Sequence, residues 1–371
     1  MKKTILLSCI VLLVVIAYSC KKNNSTASIS TIALNLPSSP FMYYGDSNAI
    51  ASIPQYYDSL NNVATLGRVL FYDGHLSVNN SISCGSCHKQ AIGFSDNVAL
   101  STGFEGQQTK RNSLAINTID ESPLLFWDGR EDNVNNLSLR PLSNHVEMGI
   151  SDPTTLPAKL APLSYYNQLF INAYGDKNIS LDRITTAIGS FISSIRSTNT
   201  RFDAYNQGNK SAMTAQELYG LSLFTSKYNC ATCHTSTGGG VVTGGGGGFY
   251  GSASFKDIGL DPNYADLGRG AITGIASDNG TFIVPNLRNV AITAPYMHDG
   301  RYKTLSDVID HYSHGIANSQ NLDPILKDGN GNAITMNITD EDKQALIAFL
   351  NTLTDYTMIT DPKFSNPFNI N

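Results

Sequence analysis

The sequence has little charge, one tryptophan, few cysteines and a single long apolar run. Charged residues make up 15% of the 371 positions, and 25 Lys and Arg face 30 Asp and Glu, so no basic stripe is available to neutralise a row of phosphates. Nucleic acid is therefore disfavoured as a partner. The apolar run at 4–17 is too short to span a bilayer comfortably. With 41% apolar residues, the chain is long enough for two globular domains with separate cores.

The N-terminus has the order of an export signal. Two lysines precede the apolar stretch 5–16, and residues 17–20 form a cleavage zone. This segment resembles a bacterial lipoprotein signal, in which Cys20 becomes the lipid-modified first residue. An ordinary signal peptide is the alternative, because the cleavage motif is imperfect. We predict a signal peptide at 1–19, a lipoprotein tether at 20–48, and a periplasmic protein that contacts a membrane through Cys20.

The six cysteines leave none for a disulfide framework. Two lie in the export signal, and the other four form Cys-x-x-Cys-His motifs at 84–88 and 230–234. This is the pattern of c-type haem attachment. Cysteines three residues apart lie about one helical turn from each other, so both sulfurs can reach one porphyrin edge while the next imidazole turns under the iron. We predict two covalently bound haem c groups, attached through Cys84, Cys87, Cys230 and Cys233, with His88 and His234 as iron ligands.

Two other interpretations of the four cysteines have less support from the sequence. A four-cysteine zinc site would employ the same two pairs, but it does not explain a histidine directly after each pair. A thioredoxin-like redox pair needs a strand before it and a helix after it in an alternating fold, and the flanking sequences lack that pattern. Haem attachment is therefore the preferred interpretation.

The motifs are 146 residues apart, close to the length of one domain, and this spacing indicates an internal duplication. Alternation of β-branched residues is scarce, whereas helical periodicity recurs. We predict a mostly α fold with two tandem cytochrome c-like haem domains, at 49–200 and 201–360. The predicted helices are 61–71, 181–197, 214–226, 305–312 and 339–353.

Seven motifs follow one another in a fixed order: 66–71, 81–88, 111–113, 126–130, 146–149, 285–290 and 294–301. In this order they resemble the bacterial dihaem cytochrome c peroxidases and MauG, across about residues 50–355. The resemblance implies that the N-terminal haem reacts with hydrogen peroxide. It also implies that the C-terminal haem receives electrons from a small cytochrome c or cupredoxin. The oligomeric state stays open, and a homodimer is one of the options.

The resemblance also assigns roles to single residues. Glu147 matches the distal carboxylate over the open iron face, which moves a proton between the peroxide oxygens. Trp127 matches a ring that relays electrons between the haems, and His298 matches a position that supports the C-terminal haem. The alternatives are a solvated acid, a core tryptophan and a structural histidine. A calcium site is implied by one side-chain amide and two backbone carbonyls, at Asn112, Thr293 and Pro295.

Periodicity and resemblance both point to the second axial ligand of the C-terminal haem. Leu305, Val308, Ile309 and Tyr312 recur at helical spacing, so on an α-helix Tyr312 shares the apolar face while His311 points about 100° away. The MauG-like branch has a tyrosine here, where the peroxidases usually have a methionine. An anionic phenolate would lower the haem potential. The alternative ligand is Met297.

Two positions near the N-terminal haem depart from the family. Many relatives carry a removable distal histidine 16 residues after the proximal one, where this chain has Phe104. Because phenylalanine cannot bind iron, we expect this haem to be five-coordinate without prior reduction. Leu137 replaces a distal glutamine, and His145 is expected at the surface. Two histidines have no assigned chemistry, His75 and His314.

Three functions follow from these patterns. The leading one is a periplasmic peroxidase that reduces hydrogen peroxide to water. The second is a MauG-like oxidase that removes electrons from a protein or small molecule through Trp127. The third is a non-catalytic electron carrier, which would need both irons six-coordinate.

Overall fold

The computed structural model describes residues 33–37, 41, 54–117, 119, 124–234 and 254–368. The predicted signal peptide at 1–19 and Cys20 lie outside these ranges, as does most of the predicted tether. Within the described part of the chain, no helix is long and apolar enough to cross a membrane.

The mostly α fold is confirmed. The N-terminal half contains α1 (Pro54–Tyr72), α2 (Cys84–Cys87), α3 (Val134–Ser143), α4 (Leu156–Leu160), α5 (Ser164–Tyr174) and α6 (Leu181–Ser194). The C-terminal half contains α7 (Arg201–Asn206), α8 (Ala215–Ser222), α9 (Gly270–Thr273), α10 (Leu305–Asp310) and α11 (Asp340–Asn351). A short antiparallel ribbon joins β1 (Phe255–Lys256) to β2 (Phe282–Ile283), with Phe255 opposite Ile283.

Threonines begin four of these helices. Thr200, Thr214 and Thr304 each form a capping box with the acid three residues later, and Thr339 accepts a hydrogen bond from the Asp342 N–H. The predicted helices 214–226 and 305–312 do not stay α-helical to their ends. They continue as π-helical turns, at Leu223–Lys227 and His311–Gly315. The α-helical spacing that we used for Tyr312 therefore ends at Asp310.

The buried apolar side chains form two clusters, one from the N-terminal half together with Met358 and Phe364, and one from the C-terminal half. The N-terminal cluster is centred on α1, α5 and α6, and the C-terminal cluster is centred on α8 and α11. Completely buried members of the first cluster include Leu66, Leu70, Phe71, Ile188 and Phe191.

Each cluster depends on a glycine at which two helices touch. A Cβ on Gly67 of α1 would lie 1.8 Å from the Ala187 carbonyl oxygen of α6 and 2.9 Å from Phe191 Cβ. A Cβ on Gly220 of α8 would lie 1.9 Å from the Ala345 carbonyl oxygen of α11, and 2.9 Å from the Phe349 Cβ. The matching geometry in the two halves supports the internal duplication.

We expect Gly67→Ala to destabilise the protein by about 3 kcal/mol, because the new methyl group collides with backbone rather than with a movable side chain. The midpoint of thermal unfolding should fall by roughly 6–12 °C. Calorimetry of the haem-loaded protein checks this. Gly329→Ala is the matched control, since a Cβ there meets nothing within 4 Å. Equal midpoints for the two variants would contradict the close helix contact.

Part of the predicted tether belongs to the folded body. Leu34 pairs with Phe368, and the Phe41 ring is completely buried. The buried Arg68 guanidinium donates to the Asn35 carbonyl at 2.9 Å and to the Ser365 carbonyl at 2.7 Å. The sequence predicts a tether over 20–48, whereas Leu34, Asn35 and Phe41 contact the folded body. The contacts are isolated and non-local, so they leave no apolar period in the sequence.

Candidate haem centres

The first Cys-x-x-Cys-His motif forms a short helix followed by its histidine. Ser83 and Ser86 cap α2, which places both cysteines on a single helical turn. Burial raises the pKa of Cys84 to about 12 and that of Cys87 to about 11, so both groups are thiols at neutral pH. His88 Nδ1 lies 2.9 Å from the Phe94 carbonyl oxygen. Because a carbonyl only accepts, Nδ1 carries the proton and Nε2 is available to iron.

The second motif has the same chemistry on a different backbone. Cys230 begins a 3-10 turn, directly after Asn229 in the left-handed region at φ 57°. Burial raises the pKa of Cys230 to about 12 and lowers the pKa of His234 to about 4. His234 Nδ1 lies 3.2 Å from the Pro285 carbonyl oxygen, which again leaves Nε2 available as a ligand.

A cavity of about 970 Å³ adjoins the first motif. This volume is near the upper end of the range for cofactor pockets. Cys84, Cys87 and His88 line it together with Glu147 and Trp127. The paired cysteines, the oriented imidazole and the cavity fit a covalently attached haem.

Glu147 lies in a turn that its own neighbours hold in place. The Asn144 amide donates to Glu147 Oε1 at 2.6 Å, and the Phe104 N–H donates to the Glu147 carbonyl at 2.9 Å. Burial raises the pKa of the carboxyl, opposed by the Asn144 hydrogen bond and the Arg130 charge. The sequence analysis missed Asn144, because a single asparagine in a loop gives no sign of a functional role. The arrangement is a half-buried acid that faces the cavity.

The other residues near the N-terminal motif have distinct positions. Leu137 lines the cavity, while Phe104 packs against the turn at Gly149. His145 is exposed, as predicted, although it lies at the edge of the same cavity. Of the histidines without assigned chemistry, His314 is exposed and His75 lies 2.7 Å from the buried Asp73 carboxylate.

Trp127 is held at the contact between the two halves of the chain. Its indole Nε1 donates to the Asn112 carbonyl at 2.9 Å, and its own carbonyl accepts from the Ile283 N–H at 2.9 Å. Beside it, Arg111 pairs with Asp266 through two hydrogen bonds of 2.7 and 2.8 Å. The only tryptophan in the sequence is thus fixed by partners from both halves.

Asn112 and His298 occupy the same contact region. The Asn112 amide nitrogen donates to the carbonyls of Val98 and Ala99, both at 3.1 Å, and the Asn112 N–H donates to the His298 carbonyl at 2.7 Å. The His298 ring stacks on Phe282 with 3.8 Å between centroids, and burial lowers its pKa. The side-chain oxygen of Asn112 therefore points away from the Val98 and Ala99 carbonyls, which its amide nitrogen contacts. Calcium at Asn112, Thr293 and Pro295 stays a prediction.

Tyr312 lies in the π-helical turn after α10, near Cys230 and Cys233. Burial is the main cause that raises the pKa of its hydroxyl well above the usual value. Among the described residues, no group pairs with that hydroxyl by a hydrogen bond. We predicted that His311 would point away from the apolar face; it is nevertheless 3% exposed. The α-helix ends before both residues, so its periodicity could not predict their burial.

The comparisons with known proteins decide the family. Residues 61–211 match the di-haem cytochrome c peroxidase family, and residues 212–354 match the cytochrome c family. The cytochrome c551 peroxidase of Nitrosomonas europaea is 31% identical over 288 residues, which cover 76% of this chain and 79% of that protein. The chain belongs to the dihaem cytochrome c peroxidase and MauG family. It is an oxidoreductase of the peroxidase type with covalently bound haem c.

Other members of this dihaem family are similar over comparable lengths. The methylamine utilization protein MauG of Methylorubrum extorquens is 31% identical over 291 residues, which cover 78% of this chain and 77% of that protein. The solved structure of a MauG-like protein associated with microbial copper homeostasis has a TM-score of 0.72 and 33% identity, and the match covers 82% of this chain and 93% of that one. The diheme peroxidase BthA from Burkholderia thailandensis, at 22% identity and a TM-score of 0.63, has the same fold; that match covers 80% of this chain and 87% of BthA.

Proposed function

We propose that this dihaem protein reduces hydrogen peroxide to water at its N-terminal haem, with electrons that enter at the C-terminal haem. The observation that carries the proposal is a half-buried Glu147 in the cavity beside Cys84 and Cys87, where no histidine occupies position 104. A carboxylate in this position could move a proton between the two oxygens of a peroxide bound to the haem.

The haem, when bound, supplies iron for peroxide binding and for electron transfer. Glu147 accepts a proton from the peroxide oxygen nearer the iron and delivers it to the outer oxygen. Asn144 orients the carboxylate for this transfer. The overall reduction of one hydrogen peroxide consumes two electrons from the donor and two protons and releases two water molecules. The raised pKa of Glu147 brings it closer to the working pH, which favours both proton uptake and release.

Electron supply involves the contact between the two halves. Trp127 relays electrons from the C-terminal haem; the Asn112 carbonyl holds its ring, and the Ile283 N–H from the other half holds its backbone. His298 would support the C-terminal haem, and Asn112, Thr293 and Pro295 would hold a calcium ion in the same region. The electron donor is a small cytochrome c or cupredoxin. The protein acts in the periplasm, tethered to a membrane through a lipid on Cys20.

Turnover with peroxide and a reduced small cytochrome c tests this function. We expect the purified, haem-loaded protein to oxidise two equivalents of the cytochrome for each peroxide, without prior reduction, as followed by absorbance in a stopped-flow instrument. Tyr312, which lies near the C-terminal cysteines, favours a MauG-like oxidase as the second candidate. Rapid reaction of the protein with peroxide combined with negligible cytochrome oxidation would favour that oxidase and contradict the peroxidase.

A further inference from the structure

The π-helical turn that carries Tyr312 is tied to the rest of the protein on both sides of that residue. Before it, Asp310 pairs with Lys343 at 2.5 Å. After it, Ser313 accepts the Asn337 N–H at 3.1 Å through its carbonyl and the Ile338 N–H at 2.9 Å through its hydroxyl. These contacts hold the backbone on either side of His311 and Tyr312. The directions of these two side chains depend on local interactions.

His311 supplies such an interaction at the position next to Tyr312. Its Nε2 lies 3.0 Å from the Ile258 carbonyl oxygen, and its Nδ1 lies 3.3 Å from the Tyr302 hydroxyl. Since a carbonyl only accepts, Nε2 carries the proton and Nδ1 accepts from Tyr302. The ring therefore spans two segments outside its own turn, and it is 3% exposed.

Two histidines of the same turn behave differently. His311 uses both ring nitrogens on partners in other segments, whereas His314 is exposed. Within this π-helical turn His311 is buried and Tyr312 is half-buried. Wide turns of this kind frequently occur at functional sites.

We infer that His311 is a positioning residue: its two hydrogen bonds hold the π turn so that the Tyr312 oxygen faces the C-terminal haem as its second axial ligand. This inference rests on the proposed ligand role of Tyr312. Among the described residues no group hydrogen-bonds to the hydroxyl of the half-buried Tyr312, which supports the inference because that oxygen is not engaged by another residue. His311 itself does not touch the haem iron in this account.

The test compares four variants of the haem-loaded protein. His311→Leu removes both hydrogen bonds, His311→Gln keeps an N–H donor for the Ile258 carbonyl, and His314→Leu is the matched control on the same turn. Tyr312→Phe defines the spectrum without the phenolate. The readouts are the optical and electron paramagnetic resonance spectra of the oxidised protein and the reduction potential of the C-terminal haem.

We expect His311→Leu to lose the tyrosinate signature and to raise the potential towards that of Tyr312→Phe, because an anionic oxygen ligand stabilises the ferric state. His311→Gln should retain most of the signature, and His314→Leu should match the wild type. A wild-type spectrum and potential in His311→Leu would overturn the inference. A wild-type spectrum in Tyr312→Phe would instead overturn the ligand role on which it rests, and peroxide turnover would still test the peroxidase proposal separately.

Should His311→Leu fail to fold, Tyr302→Phe gives the same test with a smaller change. It deletes the hydroxyl that donates to His311 Nδ1 and keeps the ring. We expect a shift of the potential in the same direction as for His311→Leu. An unchanged potential in a correctly folded Tyr302→Phe protein would contradict the role of this hydrogen bond.

Discussion

Replacement of Glu147 by glutamine is expected to lower kcat for peroxide reduction by about 10²–10⁴-fold. The amide keeps the size of the side chain and can still pair with Asn144, but it cannot accept the proton that O–O cleavage must move. Stopped-flow measurement with a reduced cytochrome checks this. Glu105→Gln is the control, since that carboxylate is exposed in a separate turn. A Glu147→Gln enzyme with wild-type kcat would contradict the assignment of Glu147 as the proton carrier.

The pH dependence of kcat gives a second test of the role of Glu147. Burial raises the pKa of Glu147. As the pH falls, Glu147 therefore becomes protonated at a higher pH than an exposed carboxylate would. Wild-type kcat should therefore fall as the pH drops through this raised pKa. The residual activity of Glu147→Gln should be flat over the same interval. A wild-type profile without this acidic limb would contradict the proposed role.

The second large effect concerns stability. We expect Arg288→Met to destabilise the protein by about 3–5 kcal/mol, because it leaves the buried Asp203 carboxylate without its cation. The two side chains are 1% and 5% exposed and form two hydrogen bonds of 2.6 and 2.8 Å. The midpoint of thermal unfolding should fall by roughly 6–20 °C. Calorimetry measures this, with Arg183→Met as the control, because its partner Asp176 is exposed.

The pH dependence of this pair has a definite sign. Burial alone would raise the pKa of Asp203, but the hydrogen bonds and the charge of Arg288 lower it below the ordinary value. A carboxyl whose folded pKa is depressed contributes stability above its unfolded pKa and loses it as the pH falls towards the folded one. The difference between wild type and Arg288→Met should therefore shrink below about pH 4. A difference that grows on acidification would contradict the ion pair.

The haem attachment residues could be predicted because their chemistry is local. Two cysteines and a histidine within five positions are enough to specify covalent haem attachment. The backbone carbonyls that orient His88 and His234 could not be predicted from the sequence. The helices followed from periodicity. Their crossings at Gly67 and Gly220 could not be predicted, since a close backbone approach leaves no periodic pattern.

The less predictable features are all non-local or irregular. Asn144 acts on Glu147 from within one turn, and His311 contacts segments 9 and 53 residues away. The π turn at His311 interrupts the α-helical period from which its orientation was predicted. The burial of Phe41 and the contacts of Arg68 likewise depend on segments that meet only in the folded chain.

One spectrum tests the central claim most directly, namely that the two haem centres differ in how their second iron position is filled. We predict that the oxidised protein, as isolated, shows a high-spin ferric signal from the centre at His88 and a separate low-spin signal from the centre at His234. Tyr312→Phe should change only the low-spin signal. A wild-type spectrum in which both irons are low-spin would contradict the account.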